Sequence, residues 1–158
     1  MSDEIREGEE AIDLPPASDA AIRFIGRIRT PFATRADCPR QGDPDGPICR
    51  IEVDPRWERA LDGIEDYASI EVFYWLDRSR RDLVLQSPRS DSRLYGTFAL
   101  RSPVRPNPIG LSRVRLVSRQ GNVLEVRGLD CIDGTPLIDI KPDTCDFTVK
   151  APPKPGQG

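Results

Sequence analysis

Eight short runs of β-forming residues, each closed by proline, glycine or charged turn residues, dominate this chain. Ala21 to Arg29 sets Ile22, Phe24 and Ile28 on one side and Arg23, Arg27 and Arg29 on the other, and Pro31 stops it. Ile48 to Val53 gathers Cys49, Ile51 and Val53 opposite Arg50 and Glu52. Ser69 to Leu76 carries Ile70, Val72, Phe73, Tyr74 and Trp75 and reads as a central strand. Leu83 to Gln86, Tyr95 to Leu100, Ser112 to Val117, Val123 to Arg127 and Leu137 to Ile140 complete the set. Gln120-Gly121-Asn122 supplies a hairpin turn between two of them. One helix is signalled, with Asp54 as N-cap, Pro55 in the first turn and Gly63 as C-terminal cap. It would carry Trp57, Ala60 and Leu61 to the core.

Strands outnumber helices and do not alternate with them, so the expected fold is mainly β, a barrel or a sandwich. A doubly wound, Rossmann-type sheet is excluded on the same ground. G-x-G-x-x-G is absent, and the only G-x-G is the terminal Gly156-Gln157-Gly158. A length of 158 residues suits one domain, expected over 21–150. Residues 1–20 read as a disordered acidic tail and residues 151–158 as a second disordered tail.

The chain has no histidine, which removes histidine-based triads, acid–base relays and most transition-metal chemistry. Its cysteines, at 38, 49, 131 and 145, form no C-x-x-C pair, so no metal is expected. Spacing leaves a disulfide open, but free thiols are the better reading where no export signal precedes the domain. The acidic start lacks the basic flank and apolar run of a signal peptide, and no stretch is apolar over a bilayer's span. A cytoplasmic protein with no membrane partner is therefore expected.

Net charge is −3, yet the acids are concentrated at the start, where residues 1–20 hold seven acids and one base. From Arg78 to Arg115 there are nine arginines against Asp82 and Asp91. Arginine grips phosphate and carboxylate through two parallel hydrogen bonds, so this segment suits a polyanionic partner. A solvated face whose arginines pair with acids elsewhere in the fold accounts for it equally.

Three segments are more constrained than ordinary loops. Tyr95 to Ser112 contains Pro103, Pro106 and Pro108, which fix φ and withhold donors, and Gly110 permits a tight exit. An extended backbone without its own ladder leaves carbonyls available to a ligand, with Arg101, Arg105 and Asn107 beside it; a structural proline-rich turn is the alternative. Leu129 to Asp143 pairs the carboxylates of Asp130 and Asp133 next to Gly134, which suits ribose hydroxyls or a cationic group. Asp133 to Pro136 is equally a turn in its own right. Cys38-Pro39-Arg40-Gln41 alone reads as a plain loop.

Together, I-G-R-I-R-T-P-F (25–32), P-R-Q (39–41), L-D-G-I-E-D-Y (61–67), F-A-L-R-S-P-V-R-P-N-P-I-G-L-S (98–112) and L-D-C-I-D-G-T-P-L-I-D-I-K-P (129–142) resemble the TsaA-like (YaeB-like) family in order and spacing. The resemblance covers roughly residues 24–142 and implies a small single-domain β-barrel with one or two short helices. It further implies binding of S-adenosylmethionine, a homodimer, and methylation of N6 of threonylcarbamoyladenosine at position 37 in the anticodon stem-loop of transfer RNA.

By matching position, the cofactor contacts implied are Pro39, Arg40, Gln41, Asp77, Arg78, Arg101, Leu111, Asp130, Cys131, Ile132, Asp133, Gly134 and Thr135. Asp77 stands where the family usually has histidine, and Leu100 where it has threonine. Asp77 would take a hydroxyl or amine of the cofactor, and Asp133 would face the ribose or assist proton removal. No general base is assigned. Arg80, Arg81, Arg89 and Arg105 form the expected RNA-binding surface. Two other readings stay open: a methyltransferase of the same fold on another RNA or a small molecule, and a non-catalytic binder of S-adenosylmethionine. A purely structural barrel, which binds no cofactor, is the last.

Overall fold

Alternating burial along the strands is what closes them into a barrel. The structure, a computed structural model, describes residues 4–89 and 91–144. Its strands are β1 (Glu10–Ala11), β2 (Gly26–Arg29), β3 (Ile48–Val53), β4 (Ser69–Trp75), β5 (Leu83–Gln86), β6 (Tyr95–Gly96), β7 (Ile109–Gln120), β8 (Val123–Arg127) and β9 (Thr135–Pro142). Six of them form a closed antiparallel barrel in the order β2-β3-β8-β7-β4-β9. β1, β5 and β6 make a separate small sheet.

In β4 the inward positions are Ile70, Val72 and Tyr74, all buried, while Glu71, Phe73 and Trp75 look outward. Ile28, Cys49, Ile51, Val53, Val114, Leu124, Val126 and Leu137 fill the same interior from the other five strands. Each fully buried aliphatic side chain contributes about 1.5–3 kcal/mol, so this one core carries the fold. β3, β5 and β8 occupy the ranges expected from the sequence, and the Gly121-Asn122 hairpin joins β7 to β8 with Gly121 at φ +60°. The structure is thus mainly β, barrel-shaped and not Rossmann.

Local expectations fail in four places. The run from Ala21 narrows to β2, because upstream of Ile25 nothing pairs with the backbone, and Ile22 and Phe24 are exposed. The segment after Asp54 is a 3-10 helix (Pro55–Leu61), whose N-cap accepts from the Arg56 N–H at 3.0 Å. At three residues per turn, Glu58 and Leu61 fall on one face and Leu61 reaches the core, whereas Trp57 stays 41% exposed and Ala60 also faces solvent. The run Tyr95 to Leu100 is a strand for two residues only, then a 3-10 turn (Thr97–Ala99) that buries Thr97.

The fourth is the acidic start. Glu10–Ala11 pairs antiparallel with β5, the Ser87 N–H donates to Glu9 Oε1 at 2.9 Å, and the Ile12 N–H donates to the Asp82 carbonyl. A backbone donor and a carboxylate acceptor on this segment meet the edge of β5, which has no other neighbour on that side among the described residues.

Candidate functional site at one end of the barrel

Register places the constrained segments at the same end. Trp75 pairs with Ile109, Ile28 with Thr135, and Ile48 with Arg127. The connections β2–β3 (30–47), β4–β7 (76–108) and β8–β9 (128–134) therefore all leave the barrel there. They carry every position expected to touch a cofactor except Leu111, in β7, and Thr135, at the head of β9.

The β8–β9 connection is fixed by β2 and the residues after it. The Gly134 N–H donates to the Ile28 carbonyl and the Asp133 N–H to that of Phe32, both at 2.8 Å. The Thr30 N–H donates to Asp133 Oδ1 at 3.1 Å, and Thr30 Oγ1 donates to the Cys131 carbonyl at 2.7 Å. Arg27 donates to the Gly134 carbonyl, and Thr135 Oγ1 closes the turn onto the Ile132 carbonyl. One oxygen of Asp133 is thus committed to holding the turn. The Cys131 thiol is buried behind it, and burial pushes it up to about 12.

The β2–β3 connection approaches this turn from the side. The Thr34 N–H and Oγ1 both donate to Asp37 Oδ2, at 2.9 and 2.8 Å. A Cβ on Gly42 would lie 1.7 Å from the Gly128 carbonyl oxygen, so the two backbones touch. Pro39, Arg40 and Gln41 are held exposed between these anchors. Burial, then the negative charge of Asp130, raises the neighbouring Cys38 thiol.

From inside the barrel, Tyr74 reaches the same turn. Its Oη donates to Asp130 Oδ1 at 2.9 Å and lies 2.8 Å from Ser112 Oγ. Sequence reasoning took Tyr74 for plain core and did not single out Ser112. The available signal was a hydroxyl at an inward strand position, which must find a partner.

The β4–β7 connection begins with Asp77 and Arg78, both exposed, after the Leu76 N–H has donated to the Pro108 carbonyl at 2.8 Å. The proline-rich stretch does not offer its carbonyls freely. Arg105 Nη1 donates to those of Leu100 and Ser102, Gln86 Nε2 to that of Val104, and Arg81 Nε to that of Pro106. Prolines withhold backbone donors, so side chains supply them. Arg101 Nη2 donates to the Leu111 carbonyl at 3.1 Å, while the Leu111 side chain lies on the barrel's outer face, opposite to Tyr74 and Ser112.

The arginines of this region divide accordingly. Arg80 forms a two-point pair with Asp82 at 2.7 and 2.9 Å. Arg81 also lies over the Trp75 ring, 5.5 Å from its centroid. Carbonyl partners leave the charges of Arg81 and Arg105 uncancelled. Arg40, Arg78 and Arg89 have no partner among the described residues. Among the described residues no group of His, Cys, Asp or Glu is arranged to hold a metal ion, and no helix is long and apolar enough to cross a membrane. Cys145 lies outside the described residues.

Comparison with known proteins converges on one family. The family described as tRNA-methyltransferase O N-terminal domain matches residues 27–147. A probable S-adenosyl-L-methionine-binding protein VirR of Rhizobium radiobacter is 52% identical over 142 residues, covering 90% of this chain and 81% of its own. A mouse (Mus musculus) tRNA (adenine(37)-N6)-methyltransferase is 30% identical over 135 residues, but this chain spans only 30% of its length. The crystal structure of TrmO from P. aeruginosa superposes with a TM-score of 0.68 at 31% identity, over 87% of this chain and 61% of that one.

Proposed function

The chain belongs to the tRNA-methyltransferase O N-terminal domain family, and from that membership we propose that it methylates N6 of threonylcarbamoyladenosine at position 37 of transfer RNA, using S-adenosylmethionine. The observation that carries the reading is the convergence of three connections at one barrel end. They bring the 39–41 loop, Asp77–Arg78 and the 130–135 turn around a common rim.

The donor set fits such a ligand. Asp77 is exposed, and Asp130 accepts at Oδ1 only, so a carboxylate oxygen is available to a cationic group. Arg40 and Arg78, without partners among the described residues, suit a carboxylate. Leu111 and Arg101 extend the rim on the outer side. When bound, S-adenosylmethionine supplies a methyl group already activated on a sulfonium. What the protein would add is position: the three connections would hold the ligand beside the acceptor base, as an in-line transfer requires. Asp133, with one oxygen tied to Thr30, holds the turn and turns its other oxygen to the ribose side.

Arg89 presents free charge to the anticodon-stem phosphates, and Arg81 and Arg105 add to the local potential, whereas Arg80 is neutralised by Asp82. Two copies of the chain pair through the outer face of the β4/β7 ladder, where Phe73 lies beside Leu111 and Trp75 beside Ile109. Ile109 and Leu111 are both exposed there.

The test is methyl transfer from radiolabelled S-adenosylmethionine to transfer RNA carrying or lacking the threonylcarbamoyl group. Label on the N6 of the modified base only supports the reading. Equal labelling of both RNAs sinks the substrate assignment. A second reading has its own support, since a relative at 52% identity is named only as a probable binder of the cofactor. It predicts saturable cofactor binding with no label on any RNA.

A further inference from the structure

Tyr74 is placed where an ordinary core residue gains nothing from a hydroxyl. It sits in β4 facing the barrel interior and is 4% exposed. A Cβ on Gly110, across the ladder in β7, would lie 2.2 Å from Tyr74 Cε2, so the ring rests flat on that glycine. Any side chain at 110 would push the ring away. Lying there, the ring delivers its Oη between two groups: Ser112 Oγ at 2.8 Å and Asp130 Oδ1 at 2.9 Å.

The proton arrangement follows from the acceptor. A carboxylate only accepts, so Tyr74 donates to Asp130, and Ser112, 9% exposed, is left to donate to Tyr74 Oη. Ser112 Oγ stands 3.4 Å from the same carboxylate oxygen, too far to compete well. Burial and the Asp130 charge both push the Tyr74 phenol up, which keeps the donor protonated. Two strands of the barrel wall thereby grip a single oxygen of a loop carboxylate. Oδ2 of Asp130 has no partner among the described residues.

We propose that Tyr74, backed by Ser112, is a positioning residue that fixes the Asp130 carboxylate so that its second oxygen meets the cationic part of the cofactor. This rests on the reading of the barrel end as a cofactor site. The geometry gives it a specific consequence. A carboxylate held through one oxygen by a rigid wall keeps its orientation as ligand enters, whereas a free one must be ordered on binding. The advantage falls on charged ligands, because a neutral nucleoside gains little from an oriented carboxylate.

The experiment measures dissociation constants by calorimetry for S-adenosylmethionine and for the neutral 5′-methylthioadenosine. The proteins are wild type, Tyr74→Phe, Ser112→Ala, Asp130→Asn and the double variant Tyr74→Phe/Asp130→Asn, each with its melting temperature. Expected is a roughly tenfold loss for S-adenosylmethionine in Tyr74→Phe, the size of one charge-assisted hydrogen bond. Methylthioadenosine affinity should move less than twofold, Ser112→Ala should follow in the same direction, and Tyr74→Phe should add nothing once Asp130 is Asn.

Equal weakening of both ligands would mean that Tyr74 only supports the turn, and the proposal fails while the cofactor reading stands. Full additivity in the double variant overturns it as well. If wild type binds neither ligand, the cofactor reading falls and takes this inference with it. Should Tyr74→Phe fold poorly, Ser112→Ala alone decides by the same ratio of the two ligands.

Discussion

Gly42 and Gly128 meet backbone to backbone: a Cβ on Gly42 would stand 1.7 Å from the Gly128 carbonyl oxygen and 2.5 Å from its carbonyl carbon. Gly128 itself adopts φ +114°, a region that side chains avoid. This contact ties the connection carrying Pro39, Arg40 and Gln41 to the one carrying Asp130, and neither partner can yield a side chain's width.

Gly42→Ala should therefore separate the two connections. Overpacking of this kind costs about 1–3 kcal/mol. Because the strain falls between loops and not in the barrel core, the loss should be larger in ligand affinity than in melting temperature. Calorimetry with S-adenosylmethionine and a thermal melt on the same preparation check this. An alanine variant with unaltered affinity would show that the 39–41 loop does not depend on its docking against Gly128.

Several of these features were legible beforehand and others were not, for physical reasons. β3 and β8 match the expected ranges to the residue because each has one wet and one dry face. Alternation overran β2, since Ile22 and Phe24 alternate as well as any strand but have no ladder partner, and pairing is a tertiary fact. The helix ending at Leu61 has the expected N-cap, Asp54, but its C-cap is Asp62, with Gly63 opening the next 3-10 turn; a cap residue does not distinguish a 3-10 from an α-helix, so Trp57 is exposed where the sequence sends it to the core. The motifs marked the 39–41, 101–112 and 130–135 segments, but not that Arg81, Gln86 and Arg105 would consume the proline-rich carbonyls. That Tyr74 sits on Gly110 depends on β4–β7 register, which no local pattern states.

The arginines should behave as two classes. Arg89→Glu replaces a charge that holds nothing in the described structure, so melting should barely change. If it faces phosphate, transfer-RNA affinity falls and the slope of log affinity against log salt drops by about one. Arg81→Ala and Arg105→Ala remove donors to the Pro106, Leu100 and Ser102 carbonyls, so they should lower the melting temperature first. Each orphaned carbonyl costs about 1–3 kcal/mol if water cannot replace the donor. Filter binding across a salt series, paired with melts, separates the classes. Identical salt slopes in wild type and Arg89→Glu would remove Arg89 from the RNA surface.

Arg119 offers a control at the opposite end of the barrel. Its side chain is 12% exposed and pairs with Asp62 at 3.2 Å and Glu65 at 3.1 Å. It also donates to the carbonyls of Gly121 and Glu58. Both acids are largely exposed, so each pair is worth about 0.5 kcal/mol, and most of the cost of Arg119→Ala comes from the lost packing and carbonyl bonds. A destabilisation of about 2 kcal/mol is expected, with cofactor affinity unchanged at temperatures where the variant is folded. Chemical denaturation and calorimetry read the two quantities independently. A matching fall in affinity would mean that the two barrel ends are coupled.

The buried thiols predict the alkaline limit of the fold. Burial raises Cys131 from an ordinary value near 9 to about 12, and burial raises Cys49 as well. A group with a raised folded value holds its proton in the native state while the unfolded chain loses it. Stability from it is then complete below about pH 9 and declines as pH rises toward 12, by up to about 1.4 kcal/mol per pH unit for each such group. Tyr74, raised by burial and by Asp130, adds to the decline above its ordinary value of 10. Denaturation curves at successive pH values should show this slope, and Cys131→Ala should flatten it. The same burial sets reactivity: at pH 8, peptide mapping after brief iodoacetamide treatment should find label on the more accessible Cys38 well before Cys49 and Cys131. Early labelling of Cys131 would mean that the 130–135 turn opens readily, and a turn that opens so readily could not hold Asp130 in place for a ligand.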